Sequence, residues 1–290
     1  MSKYAAYSLR PFFSYYGAKF NISCLYPRPE HGRIVEPFAG SACYSLRYPD
    51  RQVVLCDEDP VIAGVWSYLI GASPSELAAL PLDVESVDDC HGIPQEARWL
   101  IGFWLGRARQ QPARRVGTWM RQNGKDGTRY HSGFWGKSAR DRICQQAPRI
   151  AHWRIIETCY RSAGFGDGAA TWFIDPPYQG RAGRRYRMGS TRMDYPALAD
   201  WCRILPGQVI VCEQDGARWL PFSPLVRSGG MRGKGQEVAW LSSGANPLAQ
   251  LSLQLPGTLT ASAAMTTGSA QASGRGTSGS RAVLERRGAG

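Results

Sequence analysis

Short runs of β-branched and other apolar residues, with charge only at their ends, constrain the fold of this chain most. Such runs are typical of strands buried on both faces of a mostly parallel sheet. The five clearest are Arg33–Phe38, Gln52–Asp57, Thr171–Asp175, Gln208–Glu213 and Glu237–Leu241. A weaker sixth is Arg154–Thr158, and helical patterns at Pro60–Ile70 and Tyr195–Leu205 lie between the runs. This alternation predicts an α/β fold with a doubly wound, mostly parallel central sheet.

The stretch from about residue 76 to 152 breaks the alternation. Ala97–Arg109 has a helical pattern, whereas Arg114–Lys137 is polar, glycine-rich and basic. We therefore predict a mainly helical subdomain at 76–152, inserted between two parts of one catalytic domain at 1–75 and 153–255. Residues 256–290 contain too little apolar surface to offset the entropy of ordering, which predicts a disordered tail with no catalytic role.

Positive charge is concentrated in two segments of the chain. The formal net charge is +12, yet residues 20–94 have a net charge of −7, while residues 95–161 have +10. Residues 179–195 add five arginines against one aspartate. Charge segregated in this way favours a polyanionic partner such as nucleic acid.

Several classes of protein are disfavoured by what the sequence lacks. None of the eight cysteines forms a C-x-x-C pair and only four histidines occur, so we expect no metal site. The N-terminus has no secretory apolar segment, and no apolar run approaches about eighteen residues. We expect a cytoplasmic protein that has no membrane partner and functions as a monomer.

The strongest chemical signal is Asp175-Pro176-Pro177-Tyr178, directly after an apolar strand. Open α/β sheets bind ligands at the carboxyl ends of their strands. Two prolines stiffen the backbone there and direct the Asp175 carboxylate and the Pro176 carbonyl at one point. Two fixed acceptors suit the two N–H groups of an exocyclic amine, and Tyr178 can stack on the base that carries it.

A second signal is the small-residue turn Glu36–Ala42 after the first strand, which precedes a predicted helix. Small residues allow close approach of a ligand to the backbone. Asp57 ends the next strand, about twenty residues on, where an acid accepts hydrogen bonds from ribose hydroxyls. The same spacing occurs in dinucleotide-binding sites, but the full G-x-G-x-x-G motif of those sites is missing here.

Together with Tyr15-Tyr16-Gly17-Ala18-Lys19, these motifs follow an order similar to that of a known family. The order Tyr-x-Gly-x-Lys, Pro-Phe-x-Gly, basic insert and Asp-Pro-Pro-Tyr resembles the Dam-type DNA adenine methyltransferases of bacteria and phages, over roughly residues 11–242. The resemblance implies a Rossmann-like methyltransferase fold, S-adenosylmethionine as cofactor, and methyl transfer to the exocyclic N6 amine of an adenine extruded from double-stranded DNA.

The resemblance also implies roles for individual residues. The implied catalytic box is Asp175, Pro176, Pro177 and Tyr178. The implied cofactor contacts are Tyr15, Lys19, Glu36, Phe38, Gly40, Asp57 and Asp175. Two departures from the family are Ala42, where a second glycine is common, and Cys159-Tyr160-Arg161-Ser162, where an acid often follows the third strand.

Residues 76–152 occupy the position of the family's target-recognition region, and their basic side chains are candidate DNA contacts. Asn123 is a further candidate, for reading adenine in the major groove. The candidates, with two from the second basic segment, are Arg107, Arg109, Arg114, Arg115, Arg121, Asn123, Lys125, Arg129, Lys137, Arg184 and Arg185. The second basic segment, which follows the box, can also close over the substrate.

Other functions remain open on the sequence alone. The same geometry would serve the exocyclic amine of cytosine, although such relatives more often carry serine in place of the aspartate. Methylation of RNA or of a protein glutamine is a further possibility, and those relatives usually have asparagine there. A DNA-binding protein that keeps the fold without turnover is the non-enzymatic possibility.

Overall fold

The computed structural model of the chain describes residues 8–106, 108–118, 134–162, 168–180, 183–187, 189–225 and 236–242. These residues form a mixed α/β structure around one mostly parallel sheet of seven strands. The strands are β1 (Arg33–Glu36), β2 (Gln52–Asp57), β3 (Arg154–Glu157), β4 (Ala170–Ile174), β5 (Gly207–Gln214), β6 (Ser223–Pro224) and β7 (Glu237–Leu241).

The strand order is β3-β2-β1-β4-β5-β7-β6. Strands β1 to β5 are mutually parallel, whereas β7 pairs antiparallel with both β5 and β6. The chain builds outward from β1 to β3 and then returns to place β4 on the other side of β1. This reversal between β1 and β4 opens a crevice at the carboxyl ends of the strands, which is the usual ligand position in an open α/β sheet.

Five α-helices occur in the described part of the chain. They are α1 (Pro60–Gly71), α2 (Pro74–Ala78), α3 (Gln95–Leu105), α4 (Lys137–Gln146) and α5 (Tyr195–Ile204). The side chains of Asp59, Ser73 and Asp194 cap the first turns of α1, α2 and α5 by accepting backbone N–H bonds. The cap at Asp59 matters for function because it fixes where α1 begins beside the end of β2.

The predicted strands are all present, including the weaker one at Arg154–Thr158. The helix predicted after the Glu36–Ala42 turn is wrong, because only a 3-10 turn, Ser45–Arg47, forms there. Gly40 and Ala42 both have left-handed backbone angles (φ +44° and +48°), and Pro49 follows closely, so the segment cannot continue as an α-helix. The helix predicted to reach Arg109 ends at Leu105. The short strand β6 and the helices α2 and α4 were not predicted.

Alternating side chains of the central strands pack into two hydrophobic clusters, one on each face of the sheet. On β1, Ile34 belongs to the larger cluster and Val35 to the smaller. Side chains from the predicted insert, such as Leu100 and Phe103, are fully buried in the same cluster as Ile34. Full burial of such a side chain contributes about 1.5–3 kcal/mol.

The described elements all lie within one compact unit, Met1–Leu255. The boundaries of the insert within this unit, at residues 76 and 152, stay a prediction. The predicted tail, 256–290, lies outside the described residues.

Candidate active site

A cleft of about 770 Å³ lies where β1, β2, β3 and β4 end. The structure brings together around it all seven residues predicted from the sequence to contact a cofactor. They are Tyr15, Lys19, Glu36, Phe38, Gly40, Asp57 and Asp175. Pro177 of the predicted catalytic box also lines the cleft. The carboxyl-edge location follows from the parallel direction of these four strands.

The small-residue turn after β1 forms one wall of the cleft. Its Gly40 has a left-handed backbone (φ +44°), and a Cβ there would lie 3.2 Å from the ring of Tyr15. The Gly40 N–H donates to Asp57 Oδ2 at 3.0 Å, and its carbonyl accepts the Trp66 indole N–H at 2.8 Å. Ala42 is fully buried and also has a left-handed backbone. This is the conformation that glycine adopts most easily, and here an alanine adopts it.

Asp57 connects this turn to the start of α1. In addition to Gly40, its carboxylate accepts the backbone N–H of Asp59 at 3.0 Å. Burial raises the pKa of Asp57 to about 7, although these two N–H bonds lower it. A carboxylate has about four lone-pair sites, so Asp57 retains acceptor capacity for a ligand in the cleft.

Glu36 is the most deeply buried acid of the cleft, with 2% of its surface exposed. Its Oε1 accepts the Ser45 backbone N–H at 2.7 Å. Burial raises the pKa of Glu36 to about 8, although the bonds with Ser45 lower it. The side chain predicted as a cofactor contact therefore lines the cleft as a neutral acid at neutral pH and stabilises the turn that follows β1.

Lys19 and Asp175 form an ion pair in the cleft. Lys19 Nζ lies 3.1 Å from Asp175 Oδ1 and 4.5 Å from the centroid of the Tyr178 ring. Burial lowers the pKa of Lys19, but the negative charges of Asp175 and Glu237 raise it by more. The pKa of Lys19 therefore lies above its usual value. The N-terminal loop and the predicted catalytic box are thus joined by one cation that contacts both the acid and the aromatic ring of the box.

Neighbouring backbone and side chains fix the box itself. The Tyr195 hydroxyl at the start of α5 donates to the Pro177 carbonyl at 2.6 Å. Gly183 approaches so closely that a Cβ would lie 1.8 Å from the Tyr178 carbonyl oxygen. The corner after β4 is therefore held in one conformation, as the two prolines predict.

Several cleft residues were not identified from the sequence. Tyr186, from the second basic segment, lines the cleft, and its hydroxyl donates to the Tyr16 carbonyl at 3.2 Å. Asp59 also lines the cleft, and it accepts Gln111 Nε2 at 2.7 Å and lies 3.4 Å from Arg187. The Asp-Pro pair at the start of α1 signals a helix cap, but no local pattern indicates its distant partners.

The candidate DNA contacts are only partly within the described residues. Arg109 is exposed, and its carbonyl accepts the Tyr16 N–H at 3.1 Å, which places its backbone beside the cleft. Arg114 pairs with Asp88, and Lys137 pairs with Asp141, both at the surface. Arg115 and Arg184 are exposed, and Arg185 belongs to the turn Gly183–Arg185. The candidates outside the described residues are Arg107, Arg121, Asn123, Lys125 and Arg129.

Within the described ranges, no group of three or more acidic, histidine or cysteine side chains is arranged to hold a metal ion. No helix in the same ranges is long and apolar enough to cross a membrane. No protein-family model matches this chain, and no curated protein is significantly similar to it.

Proposed function

We propose that this protein is an S-adenosylmethionine-dependent DNA methyltransferase that acts on the exocyclic N6 amine of adenine. One observation carries the proposal. The Asp175 carboxylate at the start of a proline-stiffened corner lines the same cleft as every predicted cofactor contact. A donor of methyl groups and an acceptor amine would therefore meet at one edge of the sheet. The strand order is compatible with the Rossmann-like fold that the family resemblance implies.

The charges that line the cleft fit S-adenosylmethionine. Besides the neutral Glu36, four acidic side chains line the cleft, namely Asp57, Glu58, Asp59 and Asp175. Lys19 offsets part of their charge at Asp175, and the remaining negative field favours a ligand that carries a sulfonium and an ammonium.

Individual residues fit individual groups of that cofactor. Asp57 offers acceptors for ribose hydroxyls. The rings of Phe38 and Tyr160, whose centroids are 5.4 Å apart, offer an aromatic surface for an adenine ring. A side chain at Gly40 would crowd the Tyr15 ring, so the glycine keeps the wall between them thin.

The protein's own residues would orient the target amine. Bound S-adenosylmethionine supplies the electrophilic methyl group. Asp175 and the Pro176 carbonyl accept the two N–H groups of the amine, which favours a nitrogen whose lone pair is available. Much of the rate enhancement then comes from positioning. Lys19 covers one face of the Tyr178 ring, so a base that stacks on that face must displace the ammonium.

Double-stranded DNA is the partner that suits the basic segments. The target base must leave the helix to reach the cleft, at a cost of a few kcal/mol. Arg109 lies near the cleft through its backbone contact with Tyr16 and can neutralise phosphate there. The monomeric state expected from the sequence stays a prediction.

Methyl transfer from labelled S-adenosylmethionine to DNA from a methylation-deficient strain tests the proposal. Mapping the modified bases distinguishes N6-methyladenine from N4-methylcytosine, and label in RNA or in a protein glutamine would indicate a different substrate class. Asp175→Ala should abolish single-turnover transfer. Asp215→Ala is the matched control, because Asp215 is an exposed aspartate outside the cleft. Undiminished transfer by Asp175→Ala, or DNA binding without any transfer by the wild type, would refute the proposal.

A further inference from the structure

Two carboxylates that the proposed reaction does not use, one buried and one half-buried, lie behind the catalytic box. Glu213 is near the end of β5, and Glu237 is the first residue of β7. In the antiparallel register Glu213 is opposite Val238, and Gln214 is opposite Glu237. Because β7 runs opposite to the other central strands, its first residue lies at the edge where they end. Both acids are therefore beside the corner that follows β4.

Glu237 contacts the aromatic residue of the box. Its Oε1 accepts the hydroxyl of Tyr178 and, at 2.7 Å, the hydroxyl of Tyr26. Tyr26 is fully buried and packs edge-on against Phe173 of β4, with ring centroids 5.0 Å apart. Tyr178 is thus fixed at its hydroxyl end by Glu237, while Lys19 lies over its ring.

Glu213 contacts the backbone directly after the box. Both of its carboxylate oxygens lie 3.2 Å from the Gln179 N–H. The same side chain accepts the Gln214 N–H at 2.9 Å and the Trp219 indole N–H at 3.1 Å. With 1% of its surface exposed, Glu213 has its polar atoms engaged by these three donors.

We propose that Glu237 is a positioning residue that fixes the hydroxyl end of the Tyr178 side chain, and with it the place of the ring, while Glu213 fixes the backbone at Gln179. The inference rests on the proposed function, since the ring is the surface on which the extruded base stacks. A hydrogen bond from a phenol to a carboxylate is stronger than one between neutral groups. A ring held at its hydroxyl cannot swing away about its χ1 torsion without breaking that bond, so the position of the stacking surface is set before the base arrives, with Lys19 still over one face.

Loss of the acceptor should disturb the ring more than the fold around the cofactor. Replacing Glu237 by an apolar residue leaves two buried phenols without their partner. Glutamine keeps an acceptor oxygen at the same place and removes only the charge. A misplaced stacking surface should slow methyl transfer, because the extruded base is held less well. The cofactor cleft should stay unchanged, because Glu237 does not line it.

Four variants test the inference: Glu237→Leu, Glu237→Gln, Tyr178→Phe and Tyr26→Phe. Extrusion of the base is followed by the fluorescence of DNA that carries 2-aminopurine in place of the adenine that wild-type mapping identifies. The single-turnover rate is measured on the matching DNA with adenine, because 2-aminopurine lacks the N6 amine, and cofactor affinity and thermal unfolding are measured alongside. Tyr26→Phe is the matched control, since it removes the other phenol from Glu237 and Tyr26 does not line the cleft.

We expect Glu237→Leu and Tyr178→Phe to lower the single-turnover rate by about 10- to 100-fold and to reduce the fluorescence increase. Cofactor affinity should change by less than about threefold, Glu237→Gln should lose less activity than Glu237→Leu, and Tyr26→Phe should stay near wild type. Wild-type rates in Tyr178→Phe, or a loss in Glu237→Gln equal to that in Glu237→Leu, would refute the inference. If Glu237→Leu does not fold, Tyr178→Phe decides alone. A wild-type protein that fails to methylate DNA would instead refute the proposed function.

Discussion

Replacing Glu36 by glutamine should remove a specific pH dependence from the stability of this protein. Glu36 is 2% exposed, and burial raises its pKa from an ordinary value of 4.5 to about 8. The native protein therefore retains a proton that the unfolded chain releases between these two values. This contribution to stability is fully present below pH 4.5 and is lost as the pH rises towards 8.

The magnitude follows from the two pKa values. Each pH unit between them costs about 1.4 kcal/mol, so the wild type loses about 2–3 kcal/mol between pH 5.5 and 7.5 from this group alone. Glutamine has the size of the protonated acid, and its carbonyl oxygen can still accept the Ser45 N–H. Asp57 and Glu213, whose pKa values burial also raises, are present in both proteins and cancel in the comparison.

Chemical denaturation at a series of pH values measures the effect. The free energy of unfolding of Glu36→Gln, relative to wild type, should increase by about 2–3 kcal/mol from pH 5.5 to 7.5. Glu85→Gln makes the same chemical change at an exposed position and should leave the profile unchanged. Parallel profiles for wild type and Glu36→Gln would mean that Glu36 is ionised in the native state, and the reasoning from burial would be wrong.

Three further predictions follow from the cleft. Gly17→Ala and Gly92→Ala both place a side chain at a left-handed backbone, but only at Gly17 would the Cβ meet a neighbour, 2.1 Å from Tyr186 Oη. Denaturation should show both variants destabilised by about 1 kcal/mol or more, and Gly17→Ala should be the less stable of the two. Equal losses of stability would exclude the contact with Tyr186. A double-mutant cycle between Lys19→Met and Asp175→Ala should give a coupling energy of about 1–3 kcal/mol in stability; additive effects would show that the ion pair contributes nothing. DNA affinity should fall steeply with salt, by about 0.9 logarithmic units per phosphate contact for each tenfold change in concentration, and a flat response would contradict backbone binding.

The sequence predicted the sheet well because burial leaves a local record. A strand buried on both faces must be apolar along its whole length, so runs such as Gln52–Asp57 are visible without any knowledge of their neighbours. The cleft residues were predictable for a similar reason. Asp57 and Asp175 are each the last residue of such a run. Parallel strands have their carboxyl ends at one edge of the sheet, so the two acids are expected there.

The sequence failed where conformation depends on distant contacts. The turn after β1 was predicted to lead into a helix, but Ala42 adopts a left-handed conformation that local propensity disfavours. Tyr186 was not identified, although it lines the cleft, because nothing in its own segment shows that it packs against Tyr16.

By itself, the sequence determined the α/β class, the six main strands and the acids at the ends of β2 and β4 that line the cleft, because each depends on residues close together in the chain. Only the tertiary structure decided how Glu237 is used. In the sequence, Glu237 is a charged residue at the start of an apolar strand, with no sign of a special role. The residue that it contacts, Tyr178, is 59 positions away in the chain. The contact exists because β7 runs antiparallel to β5, and strand direction is set by pairing across the sheet rather than by any local pattern.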